Sequence, residues 1–184
     1  LLAANLNASM GPYTAKLNLS IRSGDLHQGM AVLGDLLRRP GFAAERLELA
    51  RLQAQESLRR QNDSPGAISR RLLMSALYPD HYLGYSPTQE TLAAITKQDM
   101  IAFHQTYFAP NKLWIAVSGD FDRENLLLVL QENFGDWARQ DVPEQQLPPI
   151  TRPESGSIQV AAKDLPQTTI VIGDMGLTKD NPDQ

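Results

Sequence analysis

The sequence predicts an α+β chain, with strands of period two and amphipathic helices in one polypeptide. Three observations carry that prediction. First, residues 13–22 alternate strictly. Tyr13, Ala15, Leu17, Leu19 and Ile21 fall on one side, and Thr14, Lys16, Asn18, Ser20 and Arg22 on the other. This is the pattern of a half-buried antiparallel strand. Second, Leu26, Met30, Leu33 and Leu37 recur at i, i+4, i+7 and i+11, a single apolar helical stripe. Third, Ile101 to Trp137 reads IAFHQTYFAPNKLWIAVSGDFDRENLLLVLQENFGDW. A helix end breaks at Pro110–Asn111, Leu113–Val117 is an apolar run, and Ser118–Gly119–Asp120 is a turn. A second helix follows through Leu126 to Leu130, so the unit is helix–strand–helix.

The remaining elements follow in order. Ala4–Ser9 is a shorter strand, joined to the next by a turn at Gly11–Pro12. The first helix starts near Asp25. Arg38 and Arg39 suit its negative end, and Pro40–Gly41 stops it. A longer helix runs over about 43–61. Asn62, Asp63, Ser64 and Pro65 interrupt it, and Pro65 suits the first turn of a third helix that carries Ile68, Leu72, Leu73 and Leu77. Residues 78–87, rich in Pro, Gly and Tyr, form a loop. There Tyr78, Tyr82 and Tyr85 read as packing groups, with a peptide-lining surface as the alternative. Thr96 followed by Asp99 is like a capping box with Asp in place of Glu, opening a helix with Met100, Phe103 and Tyr107. Phe103, Tyr107, Phe108 and Trp114 are expected in a core around the Leu113–Val117 strand.

After Trp137 the texture changes. Residues 139–156 are proline-rich and polar without apolar periodicity, so they read as a linker or long surface connection. Residues 157–162 and 168–172 then read as two strands.

Composition narrows the function. A net charge of −4 gives no general attraction to nucleic acid. The arginine pairs Arg38–Arg39, Arg59–Arg60 and Arg70–Arg71 read as solvated helix faces. The absence of cysteine excludes disulfides, thiolate zinc sites and a cysteine nucleophile. No window has the roughly 18 apolar residues of a membrane span. No phosphate-cradling glycine loop is present, and Ser118–Gly119–Asp120 lacks the Gly-x-Ser-x-Gly elbow of a serine hydrolase. The chain opens within apolar sequence, LLAANLNASM, without an initiating methionine. It is therefore expected to be a piece of a longer protein, and the missing leader says nothing about location.

Taken in order, three segments resemble the pitrilysin/insulinase family of zinc metallopeptidases, whose signature is an inverted His-x-x-Glu-His motif. They are DLLRRPGF, LRRQNDSPGAISRRLLMSALYPDHYLGYSPTQETLAAITKQDMIAFHQTYFAPNKLWIAVSGDFD, and QTTIVIGDMGLTKDNPD. The resemblance implies an antiparallel sheet with helices packed on one face, repeated as two related domains that enclose a peptide-admitting chamber. It implies that residues 1–138 are the later part of one such domain, 139–156 a linker, and 157–184 strands leading into or completing the next. It also implies a peptide substrate, a second peptidase-like domain or subunit as partner, and zinc in the parent family. The exported bacterial members make a periplasmic location the expectation.

A catalytic zinc requires three protein ligands and an open position for water. His27, His81 and His104 head HQGMA, HYLGY and HQTYF. None matches the signature, and each reads as a surface or packing histidine. No catalytic residue is assigned, and this chain alone is expected neither to hold zinc tightly nor to cleave peptides. The resemblance places the family's third ligand, a helical glutamate shortly before a break, at Glu56 in AQESLRRQNDSP. At 100° per residue, Leu47, Ala50, Ala54 and Leu58 form one stripe of this helix, and Leu49, Leu52 and Glu56 a second. A carboxylate on an apolar strip is costly unless paired or metal-bound. Arg59 and Arg60, at i+3 and i+4, offer the simpler explanation of an exposed ion pair. The family usually carries another glutamate seven residues before the ligand; here that position is Leu49, a departure seen in the family's non-catalytic halves. Two functions stand side by side: part of a zinc metalloendopeptidase that hydrolyses peptides by metal-activated water, or a non-catalytic peptidase-like domain that forms a chamber wall or binds peptide without metal.

Overall fold

The computed structural model describes residues 3–11, 14–152 and 154–177. The chain divides into two compact units: residues 1–43 with 97–143, and residues 44–96 with 144–184.

The first unit opens with an antiparallel hairpin, β1 (Asn5–Met10) and β2 (Ala15–Ser20), paired from Asn5↔Ser20 to Met10↔Ala15. Leu6 lies opposite Leu19, and together with Leu17 these are the partly covered strand residues. The alternation expected from the sequence thus sets the register. The expected turn falls partly on Pro12, and the expected strand partly on Tyr13; both lie outside the described residues. After a 3₁₀ turn at Ser23–Asp25 comes α1 (Leu26–Arg38). Its Gly29 faces the hairpin so closely that a Cβ there would stand 2.7 Å from Ile21 Cδ1. Helices α5 (Lys97–Tyr107) and α6 (Arg123–Phe134) complete the unit. The Asp122 carboxylate accepts the Asn125 N–H at 2.7 Å and caps α6. The core lies where α1 meets α6, with Met30 and Leu37 buried on the first and Leu126 and Val129 on the second; Ala109, just after α5, is buried as well.

The far ends of these two helices are fastened by Arg38. Its guanidinium donates to the Asn133 carbonyl at 2.8 Å, pairs with Asp136 at 2.7 Å and lies 5.9 Å from the Trp137 ring centre. His104 joins α5 to α1, donating from Nε2 to the Leu37 carbonyl at 2.7 Å and stacking on Phe108.

The second unit holds α2 (Ala44–Arg60), α3 (Pro65–Leu77) and the short α4 (Gln89–Ala94). Ser64 caps α3, with Pro65 at its first position as expected. A 3₁₀ turn, Tyr82–Gly84, lies within the tyrosine loop. Gly84 passes so close to the Tyr78 carbonyl that a Cβ would overlap its oxygen, so only glycine fits. His81 is buried between the Tyr78 and Tyr82 rings, and its Nδ1 accepts the Leu83 N–H. Tyr85 is exposed. Arg51 of α2 donates to the Leu92 and Ile95 carbonyls and so closes the end of α4.

Three expectations need correction, and one helix was not expected. Leu113–Val117 forms no ladder; the sheet among the described residues is the β1–β2 pair alone. An apolar run becomes a strand only when a neighbour takes its N–H and C=O groups, and none does so here. Trp114 accordingly stands 95% exposed, not in a core, and Phe103 is half-exposed beside Tyr107. Residues 157–162 and 168–172 likewise form no ladder, while 178–184 lie outside the described residues. Finally, α4 lies where the sequence shows no helical period, and a capping box opens it at Thr88 and Thr91, with Thr rather than an acid at its third position.

Candidate functional site

The residue to which the sequence points, Glu56, lies in the last turns of α2. The periodicity gives this helix two apolar strips, and the structure covers them differently. Leu47, Ala54 and Leu58 are partly covered, although Ala50 is exposed. Leu49 and Leu52 face solvent at 46% and 54% exposure, and Glu56 lies with them. The Glu56 carboxylate accepts from Arg60 Nε at 2.7 Å and has Arg59 Nη1 at 3.9 Å. Both cations are about three-quarters exposed, so this is a solvated ion pair rather than a buried one.

Just beyond Glu56 the helix stops at Asn62–Asp63–Ser64, and cations converge on the carbonyls of this loop. Arg71 of α3 donates to the Gln61 carbonyl at 3.2 Å and to Asn62 Oδ1 at 2.5 Å. Lys163 brings its ammonium to the Asn62 carbonyl at 2.5 Å and to that of Asp63 at 3.5 Å. These carbonyls follow Arg60, the last residue of α2, and lie at the negative pole of the helix dipole, so cations suit this end. Sequence reasoning missed Lys163. It lies 101 residues from Asn62, and no local pattern announces such a contact.

Zinc would need two further ligands beside Glu56. Among the described residues, no group of three His, Cys, Asp or Glu side chains comes together. The donor set fits one oxygen ligand and not a complete site. The three histidines are engaged elsewhere: His27 lies by Glu132 and Asn125, His81 in the tyrosine cluster, and His104 on Leu37.

Two carboxyl groups titrate away from their ordinary values. The Arg38 guanidinium beside Asp136 holds that carboxyl low, and the hydrogen bond with Thr88 does the same for Glu90.

A short antiparallel sheet combined with about six helices makes an α+β fold, and among the described residues Glu56 has no companion ligands for a metal. Residues 94–184 match the family described as Peptidase M16 inactive domain. An uncharacterized zinc protease of Mycobacterium leprae is 25% identical over 161 residues, 83% of this chain and 35% of that protein. The uncharacterized zinc protease YmxG of Bacillus subtilis is 27% identical over 108 residues, 58% of this chain and 26% of its own length. The first half of the periplasmic protease PqqL from Escherichia coli superposes with a TM-score of 0.62 at 21% identity, covering 79% of this chain and 32% of that one. A protease from Helicobacter pylori gives 0.66 at 17% identity, over 82% and 36%. Over residues 94–184 the chain is similar to M16 peptidases, the pitrilysin/insulinase group that its wording resembles, and its fold is that found in such proteases. It spans about a third of the length of these relatives.

Proposed function

We propose that this chain is part of a zinc-dependent M16 metalloendopeptidase, to which it contributes scaffold and one metal ligand, Glu56. The observation that carries the reading is the placement of Glu56. Its carboxylate is solvent-accessible, lies on the open Leu49–Leu52 strip, and stands just before the break that ends α2. An ion pair with exposed arginines is weak enough to yield to a metal. The histidines and the general base would come from elsewhere in the polypeptide. The substrate would be a peptide and the partner a second peptidase-like domain, with residues 139–156 as the connection between them. The Mycobacterium leprae and Bacillus subtilis relatives are zinc proteases by name, which supports zinc. The Escherichia coli neighbour is a periplasmic protease, which supports a periplasmic location.

A second reading keeps the same fold without chemistry, as a chamber wall or peptide-binding domain. Leu49 in place of an acid and the occupied Glu56–Arg60 pair favour it, as does the match of residues 94–184 to an inactive domain.

Zinc content separates the two. In the full-length protein, wild type should retain stoichiometric zinc through gel filtration and Glu56→Gln should lose it. Equal zinc in both would make Glu56 structural. Tight zinc binding by this 184-residue chain alone would contradict the sharing of ligands with the rest of the polypeptide.

A further inference from the structure

Residues 144–152 and 154–177 are fastened to the second unit at several points. Pro149, Ile150 and Thr151 line a small pocket with Leu77, Tyr78 and His81 at the end of α3. Further on, Gly173 lies against Leu73 so closely that a Cβ would stand 2.8 Å from its Cδ2. Between these two anchors comes Lys163, on the Asn62 and Asp63 carbonyls. Its position differs in kind from that of Arg71. Arg71 lies ten residues from Gln61 and holds the loop to its own neighbouring helix. Lys163 reports the arrival of a segment from the far end of the chain.

We propose that Lys163 is a positioning residue. Its ammonium latches the loop that closes α2, and so fixes the last turns of the helix that carry Glu56. The latch rests on contacts in the structure, and its consequence for metal rests on the reading of Glu56 as a ligand. Glu56 precedes Gln61 by five residues, less than two helical turns. A metal ligand must be held to within about 0.5 Å, and fraying of a helix end exceeds that. The strap from 144 to 177 thereby couples the order of the Glu56 turn to the docking of residues that follow the linker. Arg60 tethers the Glu56 carboxylate within the helix but cannot stop the helix end itself from opening.

The test begins with hydrogen exchange on this chain, read by mass spectrometry over peptides spanning 57–66. Lys163→Met keeps the aliphatic stem and removes the charge; Lys163→Arg keeps the charge. Lys163→Met should exchange roughly three- to tenfold faster in these peptides, the range for one exposed charge-assisted hydrogen bond, and Lys163→Arg should restore most of the protection. Gly173→Ala, which disturbs the neighbouring anchor, should loosen the same peptides. Unchanged exchange in Lys163→Met overturns the latch. In the full-length protein, competition for zinc against a chelator should show at least roughly threefold weaker retention for Lys163→Met, rescued by Lys163→Arg. Faster exchange with undiminished zinc retention, where Glu56→Gln loses the metal, overturns the positioning role. If Glu56→Gln itself keeps the zinc, the ligand reading falls, and the exchange result still decides the latch.

Discussion

Replacing Arg38 with methionine should loosen the first unit by about 2 kcal/mol. Methionine keeps the apolar stem and deletes the guanidinium. The side chain is only 22% exposed, so its hydrogen bond to the Asn133 carbonyl counts near the lower end for a charged donor, about 1.5 kcal/mol. The contact with the Trp137 ring adds about 0.5 kcal/mol. Asp136 is exposed and is left out of the sum. The chain carries two tryptophans, and Trp114 is 95% exposed, so Trp114→Phe leaves Trp137 as a local reporter at no structural cost. Trp137 stacks on Phe134, with ring centres 6.4 Å apart, beneath Arg38. Urea unfolding followed by its fluorescence should show a lower midpoint at unchanged slope. A loss below about 0.5 kcal/mol, the scale of an ordinary surface substitution, would refute the fastener.

Two further outcomes follow from the same unit. The Asp136 carboxyl titrates low because of Arg38. A depressed folded-state value means that its contribution is present above the ordinary aspartate value of about 4 and disappears as pH falls through the depressed one. The midpoint difference between wild type and Asp136→Asn should therefore hold at neutral pH and shrink below about pH 4; a difference that persists there would contradict the pairing. Asp122→Ala removes the α6 cap and should cost about 1 kcal/mol in thermal unfolding followed by circular dichroism, with Asp122→Ser recovering most of it. No change in Asp122→Ala would show that packing alone starts α6.

Much of the site was legible because its signals are local. The Glu56–Arg60 pair is an i,i+4 relation on one helix, visible wherever that helix is visible. The stop after α2 is written in Asn62–Asp63–Ser64–Pro65, residues that favour caps and turns. The second cation on that stop was not legible, because Lys163 arrives through 101 residues of intervening chain.

The sequence by itself determined the elements whose causes lie within a few residues. These are the two strands of the hairpin, β2 from its strict alternation, α1 from its apolar stripe, and the start of α3 from the Asn62–Pro65 break. It passed over α4, because QETLAA is too short to show a period. Only the tertiary structure decided whether apolar segments become strands. Leu113–Val117 has every local qualification for one, yet forms no ladder, because a strand's hydrogen bonds belong to its neighbour. The tertiary structure also decided that Arg38 would join two helices and that Lys163 would close a third. Both are long side chains whose partners are set by packing and not by spacing.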